Sequence, residues 1–384
     1  MTEPIVIIGG GMAAGNAAVE LRESGYDGGL VLFAGEPHPP YERPPLSKGF
    51  LAGESAAEDA YLKPREWYAE HDVDVRSGTV VESIDLDGHT VCTSRGDQSY
   101  DKLLIATGAQ PRHLPISSTD RVEVVHLRSL DDSRHLQDRL SPGSRLLVVG
   151  GGWIGMEVAA TARGRGVGVT LVEPAEQPLL GAMGAEVGQR LADVHRRHGV
   201  DLRTGTSLDQ LDGSAAVLDD GTELEVDTVL VGIGAAPDDN LARSAGLDVD
   251  NGILVDAGLR TSHPDVFAAG DVANQAHPLL GERVRVEHWQ NAVSQGKAAA
   301  HALLGESVSY DEIPMFFSDQ YDLGLEYFGH PGSEGYDSVK IEDGSSGADS
   351  FVARWYRGDL LVAAMHVNEW DLSKDLAAEV RAAR

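Results

Sequence analysis

IVIIGGGMAA stands at residues 5–14, and LLVVGGGWIG repeats its design at residues 146–155. Each stretch is an apolar run of strand length, followed by glycines and then by a helical pattern. A strand that is apolar on both faces is typical of a buried parallel sheet. The helices are predicted over about 13–24 and 154–165, each with a glycine as its C-terminal stop. This repeat predicts two βαβ units of the dinucleotide-binding type in one chain.

Other apolar runs complete the two units and indicate a third region. Strands are predicted at 30–33, 103–106, 169–172, 228–231 and 266–269, hairpins near 90–93 and 215–225, and a helix over 289–304. After Pro314 the pattern changes to alternating strands and a final helix from Leu372. The predicted fold is α/β, with two Rossmann-like three-layer dinucleotide-binding domains and a C-terminal α+β domain. We expect the first domain to be discontinuous, at 1–113 and 245–312. The second domain, at 114–244, is inserted into it, and the third is expected at 313–384.

The composition excludes several classes of protein. The 61 acidic and 31 basic residues give a net charge of −30, which argues against nucleic acid or an anionic membrane as a partner. The single cysteine, Cys92, excludes an internal disulfide and a paired-cysteine redox centre, and we expect it to be buried. His195 and His198 are expected to form a surface pair, and no metal site is predicted. Without a signal peptide or an apolar run of about 20 residues, the expected location is the cytoplasm.

The first glycine motif has the pattern Gly9-x-Gly11-x-x-Ala14. The first glycine permits a tight turn, the second lets a pyrophosphate approach the backbone, and the small third residue lets helix and strand pack. The N-terminus of the helix offers free N–H groups to the phosphates. Glu36 lies just past the second strand, where a carboxylate can accept hydrogen bonds from ribose hydroxyls.

The second glycine motif, Gly150-x-Gly152-x-x-Gly155, matches the dinucleotide fingerprint more strictly. Glu173 closes the following strand, where it would contact a 2′-hydroxyl and repel a 2′-phosphate. Residues 174–181 contain no Lys, Arg or His that could accept that phosphate. We therefore predict that the second site binds NADH rather than NADPH.

Two dinucleotide units without a catalytic cysteine pair suggest that the first unit holds FAD. Reduced nicotinamide delivers a hydride, whereas a flavin can pass electrons on singly. Residues 104–108 (LIATG) and 267–271 (FAAGD) have the form of strand-end turns used by such flavoproteins. In the second of these turns, Asp271 would bind the ribityl chain.

Three further motifs carry a specific resemblance: PYERPPLSK at 40–48, VEHWQNA at 286–292 and SDQYD at 318–322. Together they resemble the NADH-dependent ferredoxin reductases of bacterial cytochrome P450 and ring-hydroxylating dioxygenase systems. This family includes proteins of the putidaredoxin reductase and rubredoxin reductase types and, more distantly, apoptosis-inducing factor. The resemblance implies a glutathione-reductase-like fold and electron transfer from NADH through FAD to a ferredoxin-type iron–sulfur protein that feeds an oxygenase.

The resemblance also implies roles for individual residues. Lys48 and Glu157 would form a pair beside the flavin and the nicotinamide and act in catalysis. The FAD-binding residues would be Gly9, Gly11, Ala14, Glu36, Arg43, Pro44, Lys48, Val81, Ala106, Thr107, Gly108, Arg112, Gly270, Asp271 and Trp289. The NADH-binding residues would be Gly150, Gly152, Ile154, Gly155, Glu157, Glu173, Gly232 and Gly234.

One departure from the family pattern keeps alternatives open. Residues 315–317 (MFF) stand where relatives usually have two tryptophans, close to the flavin and the partner surface. A second candidate is therefore a reductase for rubredoxin or a small oxidant such as a quinone. A third is a redox-responsive NADH- and FAD-binding protein like apoptosis-inducing factor. An acidic ferredoxin would need a local basic patch, for which Arg43, Arg65 and Lys297 are candidates; the resemblance allows a monomer or a homodimer.

Overall fold

The computed structural model describes residues 3–384, which form two parallel sheets, one antiparallel sheet and several small sheets. The strands, in chain order, are β1 (Ile5–Ile8), β2 (Leu30–Ala34), β3 (Val73–Ser77), β4 (Val81–Asp85), β5 (Thr90–Thr93), β6 (Gly96–Ser99), β7 (Lys102–Ile105), β8 (Ala109–Pro111), β9 (Glu123–Val125), β10 (Arg145–Val149), β11 (Gly168–Glu173), β12 (Asp201–Thr204), β13 (Leu208–Asp212), β14 (Ala215–Leu218), β15 (Glu223–Glu225), β16 (Thr228–Val231), β17 (Ala235–Pro237), β18 (Ile253–Val255), β19 (Val266–Ala268), β20 (Ala273–His277), β21 (Glu282–Val284), β22 (Met315–Gln320), β23 (Leu323–Gly329), β24 (Ser338–Asp343), β25 (Phe351–Arg357) and β26 (Leu360–Val367).

Helices connect and cover these sheets. In chain order they are α1 (Met12–Glu23), α2 (Gly49–Ala52), α3 (Arg65–Glu70), α4 (Leu130–Arg139), α5 (Trp153–Gly164), α6 (Leu180–Met183), α7 (Ala185–Arg197), α8 (Asn240–Ser244), α9 (Trp289–Leu303) and α10 (Ser373–Ala382). Short 3₁₀ turns lie at Pro44–Ser47, Ala57–Ala60, Gly270–Val272 and Trp370–Leu372. Among the described residues, no helix is long and apolar enough to cross a membrane.

The first parallel sheet has the strand order β19-β7-β1-β2-β3. The central strand β1 pairs in parallel with β2 and β7, so that Ile5 lies opposite both Leu30 and Lys102. All residues of β1 and β2 are buried, which explains their continuous apolar sequences. The edge strand β19 belongs to a part of the chain that follows the second sheet. The chain therefore leaves the first sheet, builds the second and returns.

The second parallel sheet repeats this design, with the order β12-β11-β10-β16-β9. Its central strand β10 pairs in parallel with β11 and β16, and Leu146 lies opposite Val169 and Thr228. The antiparallel pair β8 and β17 connects the two units where the chain passes between them. The predicted repeat of two βαβ units is therefore present in the structure.

The helices that follow the glycine turns end as the sequence predicts. Gly25 has a φ of +82°, and the N–H of Tyr26 donates to the carbonyl of Leu21 (3.0 Å). Gly166 has a φ of +79°, and the N–H of Val167 likewise donates to the carbonyl of Ala162 (3.0 Å). Such a reversal across a left-handed glycine satisfies carbonyls that the last turn of a helix leaves free. Both predicted stops are confirmed.

The C-terminal region is an antiparallel sheet of order β22-β23-β26-β25-β24, with α10 packed on one face. Its other face shares a core with the second parallel unit. Trp355 lies in that shared core, is fully buried, and donates from Nε1 to the carbonyl of Met183 (3.1 Å). The α+β architecture predicted for this region is confirmed. Its packing fixes the position of β22 relative to α5.

Two smaller expectations have different outcomes. The hairpins predicted near 90–93 and 215–225 are present as β5 with β4 and as β14 with β15. Cys92, expected to be buried, is partly exposed on β5. Alternation explains the difference, because Val91 points into the core and its neighbour Cys92 points away from it.

Candidate functional site

A cavity of about 1360 Å³ lies between the carboxyl ends of the two parallel sheets and the start of β22. It is larger than the roughly 300–1,000 Å³ of ordinary small-molecule pockets, as a site for an extended dinucleotide must be. The lining includes most of the residues predicted from the sequence: Gly9, Gly11, Glu36, Arg43, Pro44, Lys48, Val81, Ala106, Thr107, Gly108, Gly152, Ile154, Glu157, Gly232, Gly234, Gly270, Asp271 and Trp289. The fold thus brings both glycine motifs to one space.

Four other predicted residues stand behind this lining. Ala14 is fully buried on α1. A Cβ on Gly155 would lie 2.1 Å from the carbonyl oxygen of Gly150, so these two residues form the close contact between helix and strand. Glu173 accepts hydrogen bonds from the N–H groups of Gly151 (2.7 Å) and Ala175 (2.9 Å). Its carboxylate therefore lies directly beside the second glycine turn.

Arg112, predicted to face FAD, is not brought to the cavity. Its side chain is exposed, and its Nε donates to the carbonyl of Ala235 (3.1 Å) across the β8–β17 pair. Arg112 directly follows β8, and its backbone N–H also donates to the carbonyl of Gly234 (2.9 Å), so the residue is held against the strand that pairs with β8. Gln110 and Pro111 line the cavity, whereas Arg112 does not.

In each glycine turn, the first glycine is required by the fold and the third faces open space. Gly9 has a φ of +135°, and a Cβ there would lie 2.2 Å from the carbonyl oxygen of Ala106; Gly150 has a φ of +106° and makes the same approach to Gly232, at 2.4 Å. These two positions need glycine for the fold itself. Around Gly11, in contrast, a Cβ would meet nothing within 4 Å. The space beside that glycine is open for a ligand.

The second motif has the same opening. A Cβ on Gly152 would meet only the carbonyl oxygen of Gly232, at 3.8 Å. No side chain caps the start of α1 or of α5, and both starts lie within the described part of the chain. The free N–H groups of the first helical turn therefore face a space that a pyrophosphate can enter.

Glu36 is held in place at the end of β2. Its carboxylate accepts a hydrogen bond from the hydroxyl of Tyr41 (2.5 Å) and pairs with the guanidinium of Arg43 (3.0 Å). Tyr41 is buried, and burial raises the pKa of its phenol above the ordinary range, so it acts as a donor. A carboxylate has about four acceptor positions, so Glu36 can still accept bonds from ribose hydroxyls.

Lys48 and Glu157 form the predicted ion pair across the cavity, with Nζ and Oε2 2.7 Å apart. Glu157 is only 4% exposed, although it carries a charge. The hydroxyls of Ser47 (2.5 Å) and Ser318 (2.6 Å) also donate to its two oxygens. The ammonium of Lys48 lies 5.9 Å from the centroid of the Phe317 ring. Three side-chain donors therefore bind the two oxygens of this buried carboxylate.

Unpartnered polar atoms on the wall give an independent test of whether a cofactor fits. Among the described residues that line the cavity, several have a buried polar atom without a hydrogen-bond partner, including Trp289 Nε1, His126 Nε2 and Thr79 Oγ1. Buried polar groups in proteins are almost always hydrogen-bonded. The lining therefore offers unused hydrogen-bonding groups to a ligand that has polar groups of its own, as a flavin dinucleotide has.

A sequence profile of the pyridine nucleotide-disulphide oxidoreductase family matches residues 3–296. The chain belongs to this family. It is 38% identical to putidaredoxin reductase CamA from Pseudomonas putida, over 98% of this chain and 92% of that protein. It is also 38% identical to the ferredoxin–NAD(+) reductase component of the anthranilate 1,2-dioxygenase system of Burkholderia cepacia, over 99% of this chain and 93% of that one.

A solved structure agrees with this assignment. The reductase in the crystal structure of the covalent putidaredoxin reductase–putidaredoxin complex superimposes with a TM-score of 0.93 at 36% identity. The match covers 98% of this chain and 93% of that chain. The resemblance stated from the motifs is thereby confirmed at the level of family and fold.

In this pyridine nucleotide-disulphide oxidoreductase, sequence reasoning missed Arg128 and His288. Arg128 follows β9, lines the cavity and pairs with Asp271 (3.0 Å). Its backbone carbonyl also accepts a hydrogen bond from Arg43. A signal for Arg128 was available in its position just after a short apolar strand, because the carboxyl ends of parallel strands share one edge.

His288 caps α9 and also lines the cavity. The backbone N–H of Phe317 lies 3.1 Å from its Nε2. Burial lowers the pKa of His288 to about 4, so the imidazole is neutral at pH 7. His288 stood inside the quoted motif at 286–292, but only the tertiary structure reveals that it meets β22.

The MFF segment forms the wall of the cavity at the start of β22. Phe316 stacks on Tyr327 (4.7 Å between ring centroids) and packs at a tilt against Trp153 (4.8 Å). Phe317 approaches His288 edge-on at 5.1 Å. Phe316 and Phe317 therefore form an aromatic wall at this end of the cavity.

Two surface expectations are wrong. His195 is fully buried, although it was expected in a surface pair, because α7 packs against the C-terminal sheet and turns this residue inward. Arg43 cannot belong to a surface patch with Arg65 and Lys297, because its guanidinium is bound to Glu36 inside the cavity.

Proposed function

We propose that this chain is an FAD-dependent reductase that passes electrons from NADH to a ferredoxin-type protein feeding an oxygenase of the P450 or dioxygenase type. In the balanced reaction, one NADH becomes NAD⁺ and H⁺ while two one-electron ferredoxins are reduced. The observation that carries the proposal is the convergence of two open glycine turns on one cavity, with the Lys48–Glu157 pair between them. Relatives named as ferredoxin–NAD(+) reductases support the choice of acceptor.

The first parallel unit would hold FAD. The open space at Gly11 would receive its pyrophosphate, and Glu36 would accept bonds from its ribose hydroxyls. Arg128 and Asp271 would anchor the ribityl–phosphate part, and the free Nε1 of Trp289 would donate to a polar edge of the ring. When bound, FAD supplies the ability to accept a hydride and release electrons one at a time.

The second unit would hold NADH against the open space at Gly152. Glu173 would accept a hydrogen bond from the 2′-hydroxyl of the adenosine ribose and disfavour a 2′-phosphate by charge repulsion. Lys48 and Glu157 would orient the reacting rings, and neither needs to give or take a proton in the hydride step. The aromatic wall of Phe316, Phe317 and Trp153 would exclude water from that position.

The remaining assignments are also proposals. We assign 1–113 with 245–312 to the FAD domain, 114–244 to the NADH domain and 313–384 to the C-terminal domain that covers the flavin. We place the protein in the cytoplasm as a monomer or homodimer, with no role for nucleic acid or membrane.

The test is an anaerobic titration of the purified holoprotein with NADH, followed by flavin absorbance. We expect stoichiometric bleaching within the mixing time, and then reoxidation by ferredoxins added one at a time. A protein that binds no FAD, or that is not bleached by NADH, would overturn the proposal.

A second candidate is a reductase for rubredoxin or a small oxidant such as a quinone. The Phe316–Phe317 replacement favours it, because a smaller aromatic wall changes what can approach the flavin. Turnover with menadione or rubredoxin and none with any ferredoxin would select this candidate. Slow reoxidation by every acceptor, with NADH-dependent dimerisation, would instead select a redox-responsive binding protein of the apoptosis-inducing-factor type.

A further inference from the structure

A chain of buried polar side chains leads away from Glu157 and does not touch the cavity. It runs from Ser318 and Gln320 on β22 to His195 on α7 and ends at Tyr321. Ser318, Gln320 and His195 are at most 2% exposed. Burying three polar side chains is costly unless every one of them is hydrogen-bonded, and here each has a partner on both sides.

The direction of the hydrogen bonds follows from the protonation of His195. Burial lowers the pKa of this histidine to about 4, so the ring is neutral and has one donor and one acceptor nitrogen. Nε2 faces Oε1 of Gln320, an amide oxygen that can only accept, so the proton is on Nε2 and Nδ1 accepts a hydrogen bond from the hydroxyl of Tyr321 (3.2 Å). Nε2 then donates to Oε1 of Gln320 (2.8 Å).

The rest of the chain is fixed by the amide of Gln320. With its oxygen facing His195, its Nε2 donates to the hydroxyl oxygen of Ser318 (3.1 Å). The hydroxyl of Ser318 must therefore donate to Oε1 of Glu157, which lies 2.6 Å away. Four successive donors point toward one carboxylate, and each polarises the next.

The two oxygens of Glu157 are bound from opposite sides. Oε2 faces Lys48 (2.7 Å) and Ser47 (2.5 Å) at the cavity, whereas Oε1 faces Ser318. The chain from His195 thus supports the carboxylate from behind while Lys48 binds it from the front. It also joins the second parallel unit to the C-terminal sheet, because α7 and β22 belong to different parts of the fold.

We propose that Ser318, Gln320 and His195 are positioning residues that hold the carboxylate of Glu157 against Lys48 and so set the charge presented to the flavin. The proposal rests on the proposed FAD site. The chain is a positioning device and no proton path, because the amide of Gln320 would have to leave its stable tautomer to pass a proton.

The test measures the midpoint potential of the bound flavin in variants that lack one of these hydrogen-bonding side chains. When one hydrogen bond of this series is removed, the carboxylate of Glu157 is held less closely against Lys48. The ammonium of Lys48 is then less well neutralised, and its positive charge stabilises the reduced flavin. For His195→Leu and Gln320→Leu we expect the equilibrium constant for reduction by NADH to rise about three- to tenfold, which is about 15–30 mV for a two-electron couple. Glu157→Gln should shift the potential in the same direction by more.

Conservative and control variants separate positioning from stability. His195→Gln keeps a donor near the position of Nε2 and should restore the equilibrium constant to within about twofold of the wild type. His366→Leu removes another fully buried histidine, which faces Glu326 (3.2 Å) and has no link to Glu157, so it should lower the melting temperature without shifting the potential.

Unchanged flavin potentials in His195→Leu and Gln320→Leu would mean that these side chains have only a structural role, and would overturn the proposal. If those variants do not fold, Ser318→Ala, which keeps the size of the side chain, decides by the same criterion. Failure of the proposed function is distinguishable, because then the wild-type protein itself would bind no flavin to titrate.

Discussion

Replacing Gly152 with valine should strongly weaken NADH binding while leaving the fold and the bound FAD intact. The backbone at Gly152 has a φ of −79° and a ψ of −179°, which any residue adopts. The nearest atom to a new Cβ is the carbonyl oxygen of Gly232, at 3.8 Å. Valine at this helix N-cap should therefore change the free energy of unfolding by no more than about 1 kcal/mol.

The substitution should instead lower the affinity for NADH. The valine methyl groups would occupy the space in which the pyrophosphate approaches the uncapped start of α5. Loss of two charge-assisted hydrogen bonds, at about 1.5–3 kcal/mol each, totals about 3–6 kcal/mol. At about 1.4 kcal/mol per factor of ten, the affinity for NADH should fall by about 10²–10⁴.

Anaerobic stopped-flow measures this directly, as the dependence of flavin bleaching on NADH concentration. FAD content and melting temperature are measured on the same preparation. Gly11→Val is the matched variant in the first motif and should lose FAD while still binding NADH. Gly155→Ala is the contrasting variant, because its Cβ would lie 2.1 Å from the Gly150 carbonyl oxygen and should cost the fold about 1–3 kcal/mol.

Bleaching of Gly152→Val at wild-type NADH concentrations would refute the placement of the pyrophosphate at α5. Loss of FAD from Gly152→Val would refute the assignment of the two motifs to separate ligands.

Three further predictions concern charge. Glu173→Lys should weaken the binding of NADH at least tenfold and raise the ratio of NADPH turnover to NADH turnover. If steady-state kinetics show an unchanged ratio, another carboxylate binds the ribose. Arg128→Ala leaves the carboxylate of Asp271 without its partner in the cavity. The dissociation constant of FAD, measured by equilibrium dialysis, should therefore rise about 10- to 100-fold. FAD bound as tightly as in the wild type would contradict the site. His195 has a folded pKa of about 4 against about 6.5 when unfolded, so the unfolded state binds more protons between these values and stability is lost as the pH falls through them. Urea unfolding at pH 7.5 and pH 5 should show that His195→Gln removes about 2 kcal/mol of the wild-type loss; an equal loss in the variant would mean that His195 does not titrate as its burial requires.

The local elements and the glycine motifs could be predicted from the sequence. The apolar runs of β1 and β10, and the glycine stops at Gly25 and Gly166, depend on neighbours close in the chain. Strand burial and helix termination are therefore legible without the tertiary fold. The Lys48–Glu157 pair was reached only through the family resemblance, because no spacing in the chain relates two residues that far apart.

The environment of individual side chains was decided by the tertiary structure alone. Arg112 and Arg128 each follow a short strand, yet only Arg128 lines the cavity, because it pairs there with Asp271, whereas Arg112 donates to the carbonyl of Ala235 across the β8–β17 pair. His195 looks like a helix-surface residue until α7 is packed against the C-terminal sheet. Periodicity along one element determines which face is apolar, but which polar groups meet across that face depends on a partner distant in sequence. The sequence by itself therefore determined the two dinucleotide units, and the tertiary structure decided which charges meet between them.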